Sequence, residues 1–172
     1  MSDTLTKVQM AYLTDANSAL HEAGHLAAAI SRGIPAIARI GYDGFSSGRM
    51  NYDPTGVSLD SELFITFAGV AAVERFCLRR AGLALDLADI EKAVLTLPAT
   101  EAAIIKAKAR RDAEIFLEQH MGLIFRLALA LIEHRSLDEG TAKKVFTGEI
   151  KVEAPDEFCE VLNLLPRAVW LE

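Results

Sequence analysis

Between Ser18 and Ile30 the chain reads SALHEAGHLAAAI, an alanine- and leucine-rich run of the kind that forms a buried helix, interrupted by His21, Glu22 and His25. Burying such groups is unfavourable unless each finds a partner. Any fold open to this chain must therefore supply three polar partners inside one apolar helix. About half of the 172 residues are hydrophobic, enough for one domain with a sizeable core. The net charge of −6 is spread over the whole chain, which argues against a nucleic-acid surface, since that would need clustered Lys and Arg. Cys77 and Cys159 form no CxxC pair, so neither a cysteine zinc knuckle nor a disulfide framework is expected.

Punctuation residues divide the chain. A helix is expected from about Asp15 or Ser18 to Arg32, with those two residues as N-caps and Gly33-Ile34-Pro35 as its stop. The ten or so residues before it are polar and read as loosely ordered, and MSDTLTKVQM lacks the regions of a secretory signal. β-Branched and aromatic residues around a Gly- and Ser-rich turn predict a hairpin with strands near 36–42 and 48–53. A second helix is expected from about Asp60 to Arg80, closed by Gly82, and a short one over 86–96. Helical periodicity then runs to His120, from Gly122 to His134, and again after Leu137-Asp138. Residues 147–172, with Pro155, Pro166 and the apolar VLNLLPRAVWL, read as a tail packing on the same domain. Apolar stretches such as LFITFAGVAAV fall short of a bilayer span. No membrane span and a cytoplasmic setting are therefore expected. The fold class is mainly α with one small sheet.

HEAGH is an H-E-x-x-H pattern. Residues four apart share a helical face, so His21 and His25 can hold one metal ion through imidazole nitrogens. Glu22 is rotated by about 100° from His21 and can reach a water on that ion without being a ligand. In such sites the metal polarises the scissile carbonyl and acidifies the water, while the glutamate takes its proton and passes it to the leaving amine. Gly24 costs a helix about 1 kcal/mol relative to Ala, which points to a packing requirement. Residues 26–31 read LAAAIS, so there is no HExxHxxGxxH extension. A tetrahedral zinc centre with an open position needs a third protein ligand, and Glu74, Asp86 and Asp89 are the candidates that spacing leaves open. Zinc is the default ion for these donors. His120 and His134 read as helix-end cations, Tyr42 and Tyr52 as strand packing rather than oxyanion donors, and Cys77 as a core thiol. Arg79-Arg80 and Lys106 to Arg111 read as solvated helix faces.

Three further segments give the chain a likeness. HEAGH, FAGVAAVERF (67–76), DLADIEKA (86–93) and AEIFLEQHMGLIFRLALALIEHRSLDEG, in this order, resemble the proteolytic domain of the FtsH family of zinc metalloproteases. FAGVAAVERF is similar to that family's GGRAAEE helix through Ala71, Ala72 and Glu74, with Val73 departing. DLADIEKA is similar to its SNDLERA segment. The likeness spans roughly residues 18–146 and implies a zincin-like helical bundle with a small sheet beside the active-site helix. It further implies a zinc site of His21, His25 and Asp89, with Glu22 as general base and Glu74 orienting a histidine, Asp86 and Glu74 remaining the alternative third ligands. The small residues before the family's aspartate are replaced by Leu85-Asp86-Leu87-Ala88, which keeps Asp86 in play. No GxxxxGK[ST] loop occurs, so the family's ATPase is expected to be lacking or supplied by another chain. The implied activity is a zinc metalloendopeptidase acting on unfolded or flexible peptides, with room for a homo-oligomer. The rival reading is a non-catalytic interaction module on a peptidase scaffold. Glu22 argues against it, since a structural site needs ligands but no base.

Overall fold

The structure is a computed structural model that describes residues 7–41, 48–75 and 83–152. Its order is α1 (Lys7–Ser31), β1 (Ala36–Ile40), β2 (Gly48–Tyr52), α2 (Leu59–Arg75), α3 (Leu83–Ala93), α4 (Ala99–His134), β3 (Ser136–Leu137) and α5 (Glu139–Thr147). The chain is mainly helical with one antiparallel sheet, ordered β2-β1-β3.

Helix α1 runs through the middle. Ala16, Ala19, Leu20, Ala23, Leu26, Ala27, Ala28 and Ala29 are all buried, leaving no solvent face along four turns. It packs against α2, α4 and the sheet. Small residues allow α2 to approach closely. A methyl group added at Gly24 would come within 2.6 Å of the Ala68 carbonyl oxygen and 3.0 Å of the Gly69 Cα. That contact supplies the packing requirement expected of Gly24. The helix stops at Gly33, whose φ of +70° suits a residue without Cβ. Gly33 N–H donates to Ile30 and Ile34 N–H to Ala29, the paired bonds of a Schellman ending.

Several sequence expectations are corrected here. Helix α1 begins at Lys7, so Asp15 and Ser18 lie inside it and are not N-caps. KVQMAYLT contains no Gly or Pro to stop the helix earlier, and Asp15 instead pairs with Arg135 at 2.6 Å. The two helices expected to meet near residue 121 do so: α4 consists of two helical stretches run together across a kink at His120, whose φ of −121° and ψ of 19° are not helical. His120 thus stands at the end of the first stretch. Its ring packs on Phe116 with centroids 4.6 Å apart. His134 does end α4. The strand β3 was not expected: two residues carry no period, and only pairing of Ala38 with Leu137 and Arg39 with Ser136 reveals it. Asp138 caps α5 by accepting from Thr141 N–H at 2.7 Å.

Helix α4 also exceeds the expected lengths of apolar run. It is the one helix among the described residues long and apolar enough to cross a membrane, and 56% of its most apolar window is buried inside the fold. Lys106, Lys108 and Arg110 lie on its outer face and pair with Glu91, Asp60 and Glu74 respectively. Ile150 and Val152 pack on the core after α5. The tail beyond 152, Tyr42, Cys77, Arg79 and Arg80 lie outside the described residues.

Candidate metal centre

Asn17, Ser18, His21, Glu22 and His25 are the buried polar residues among those described. All stand on α1, spaced so that they form one stripe. Three elements meet that stripe where it carries HEAGH: α2, the first turn of α3 and the strand β2.

His25 is set by α2. Its Nδ1 donates to the Ile65 carbonyl at 2.8 Å, which turns Nε2 the other way. The ring reaches that carbonyl because Gly69, one turn further along α2, has no side chain. A Cβ there would lie 2.3 Å from His25 Cε1 and Nε2. Gly69→Ala is expected to displace the ring, lower stability by about 1–3 kcal/mol as overpacking does, and weaken metal binding together with it. Thermal unfolding and zinc titration of the variant check this; wild-type values in both would show that the ring does not need the gap.

Asp86 comes from α3. Leu83 and Ile90 bury one face of this helix, and on a 3.6-residue repeat Asp86 lies roughly 50° from the middle of that face while Asp89 lies roughly 110° away. Asp86 is therefore drawn inward and Asp89 is exposed. The result is a triangle of ligand atoms. His21 Nε2 and His25 Nε2 are 3.1 Å apart, and Asp86 Oδ2 lies 2.9 Å from the first and 3.6 Å from the second. Tetrahedral ligands with bonds of about 2.0–2.1 Å stand ~3.3 Å apart, so the three atoms are spaced as a metal ion requires. Asp86 Oδ2, though buried and this close, meets neither ring in hydrogen-bond alignment. Two imidazole nitrogens and a carboxylate oxygen gathered this closely are a group that a cation could satisfy in place of the proton they otherwise share.

The position implied for Asp89 is thus filled by Asp86, and Asp89 lies outside the cluster. Glu74, the other alternative, is turned outward to Arg110 at 2.7 Å and does not orient a histidine. Among the described residues, His21, His25 and Asp86 form the group that could hold a metal ion.

Glu22 faces the sheet. A Cβ at Gly48 would fall 2.5 Å from Glu22 Oε1, so this glycine leaves room for the carboxylate under β2. The Met50 backbone N–H donates to Glu22, while Oε2 is buried without a partner among the described residues. Among the described residues β2 is an edge strand, paired with β1 alone. Tyr52, half-buried, packs against the core, in keeping with its strand-packing role.

The charges of the metal-free site follow from burial and from one another. Burial pushes Glu22 up to about 7, opposed by His25 and the Met50 N–H. Burial also lowers His21, helped by the neighbouring His25. For His25 burial acts downward too, but Asp86 and Glu22 outweigh it and raise the ring to about 9. Asp86 would rise on burial, yet the two imidazoles hold its carboxyl well below the usual range. At neutral pH the metal-free site therefore keeps a proton on His25, and an incoming cation must displace it.

Gly48, Gly69, the Ile65 carbonyl and the Met50 N–H were not singled out from sequence. Gly69 carried a signal, since it interrupts an otherwise apolar helix, where glycine often has a packing reason; Gly48 merely opens β2 and carried little. The two backbone groups carry none. No family model matches this chain, and no curated protein matches it.

Proposed function

We propose that the chain is a zinc-dependent metalloendopeptidase in which His21, His25 and Asp86 hold the ion and Glu22 is the general base. The observation that carries this reading is the convergence of three ligand atoms beside a buried carboxylate oxygen, Glu22 Oε2, that no described residue engages. Two imidazoles and a carboxylate leave a fourth position open, the arrangement of catalytic rather than structural zinc. When bound, zinc supplies Lewis-acid polarisation of the substrate carbonyl and a lowered pKa for water.

The chain's own residues do the rest. The Met50 N–H holds one oxygen of Glu22, so Oε2 stays aimed into the site. From there it takes a proton from the attacking water and returns it to the departing amine. The Ile65 carbonyl fixes the His25 ring. The edge of β2, unpaired among the described residues, offers main-chain groups to an extended peptide, which can add as a further strand. Only an unfolded or flexible segment presents its backbone in that way, and this defines the substrate class. The likeness of residues 18–146 to the FtsH proteolytic domain supports the same chemistry, with Asp86 in the place there implied for Asp89.

Stripping the protein of metal, titrating zinc and incubating it with an unfolded polypeptide tests the reading. About one zinc per chain and fragments that appear only with zinc are expected, with a chelator abolishing them. Zinc uptake without cleavage would favour an interaction module, and no uptake would overturn the metal centre itself.

A further inference from the structure

The polar stripe of α1 continues one turn beyond HEAGH. Asn17 stands four residues before His21, on the same helical face, and is only 7% exposed. Its Oδ1 has no hydrogen-bond partner among the described residues, and neither has His21 Nδ1. The two orphans are complementary. A neutral imidazole that presents Nε2 as a bare lone pair carries its proton on Nδ1, a donor, while the amide oxygen is an acceptor. Leaving such groups buried and unpaired costs about 1–3 kcal/mol each.

Direction agrees with chemistry. His21 Nε2 faces His25, one turn toward the C-terminus, so Nδ1 lies on the side of the ring turned from it. Helical side chains lean toward the N-terminus of their helix, here toward the turn that carries Asn17. The Gly69 carbonyl also faces this ring, but without hydrogen-bond alignment to Nδ1.

We propose that Asn17 is the positioning residue for His21: its amide oxygen takes the Nδ1–H, directly or through one bridging water, and so holds Nε2 bare toward His25 and Asp86. The inference rests on the zinc reading. Metal-bound histidines commonly donate the second ring N–H to an oxygen that fixes the tautomer. His25 uses the Ile65 carbonyl for this; His21 uses a side chain, one that substitution can reach.

The test compares wild type with Asn17→Leu, which removes the acceptor at similar volume, and Asn17→Asp, which keeps it. Zinc affinity is read by competition with a chelator, and the His21 tautomer by long-range proton–nitrogen NMR of the metal-free protein. The expected result is a roughly 10–100-fold loss of zinc affinity in the leucine variant, with aspartate tighter than wild type. In the metal-free wild type His21 is expected as the Nδ1–H tautomer, lost in the leucine variant. Leucine with wild-type affinity and tautomer would overturn the proposal. If Asn17→Leu does not fold, aspartate decides: tighter zinc supports the role and weaker or equal zinc overturns it. If the wild type takes up no zinc, the metal reading fails by itself, and the tautomer comparison still decides whether Asn17 orients His21.

Discussion

Glu22→Gln is expected to keep about one zinc per chain and to lower peptide hydrolysis by roughly 10²–10⁴-fold, the range that a positioned general base contributes. Glutamine has the same length and retains an oxygen for the Met50 N–H that now holds Glu22, so the contact with β2 survives. The three ligand atoms come from His21, His25 and Asp86, and none of them is altered. What disappears is a lone pair at the Oε2 position able to accept a proton. Zinc content by elemental analysis and fragment release by mass spectrometry separate the two effects. Wild-type cleavage by this variant would remove Glu22 from the reaction; loss of zinc along with cleavage would show that the carboxylate helps hold the ion.

The second large effect divides two aspartates three residues apart. Asp86→Ala is expected to weaken zinc binding at least ~100-fold, since losing a mere orienting neighbour already costs roughly 10–100-fold. Asp89→Ala is expected to leave affinity unchanged. The contrast follows from the rotation of α3, which places Oδ2 of Asp86 2.9 Å and 3.6 Å from the two histidine nitrogens and leaves Asp89 in solvent. Side by side, the two affinities identify the third ligand. The reverse pattern, strong loss in Asp89→Ala alone, would mean that α3 binds the ion in a different rotation.

The legible part of the site was the part written on one helix. HEAGH declares its own geometry, because a four-residue spacing on α1 fixes where His21 and His25 stand relative to each other. The third ligand belongs to another helix, and its identity depends on which face of α3 is buried. Leu83 and Ile90 decide that, but LALDLADIEKA offers leucines at 83, 85 and 87 and so points to no single face by itself. The likeness to a family segment pointed to Asp89, three residues further along, whereas Asp86 is the one that stands in the cluster able to hold an ion. In the fold, the class, the hairpin, the stop at Gly33, the break at His120 and the start of α5 after Asp138 were legible because each is set by local chemistry. The start of α1 and the two-residue β3 were not. Each of those is settled by what the segment packs against or pairs with.

The ligands come from positions about 60 residues apart in the chain, with the whole of the sheet hairpin and α2 between them. An ion held there is a crosslink as well as a reagent. It closes a long loop whose closure an unfolded chain resists entropically, and it binds the folded form in preference to the unfolded one. The same ion that would make the site reactive would thus fasten α3 to α1, and a chain without it would lack a fastening of its architecture along with the proposed chemistry. Metal supply would govern how long such a protein persists as well as how fast it works.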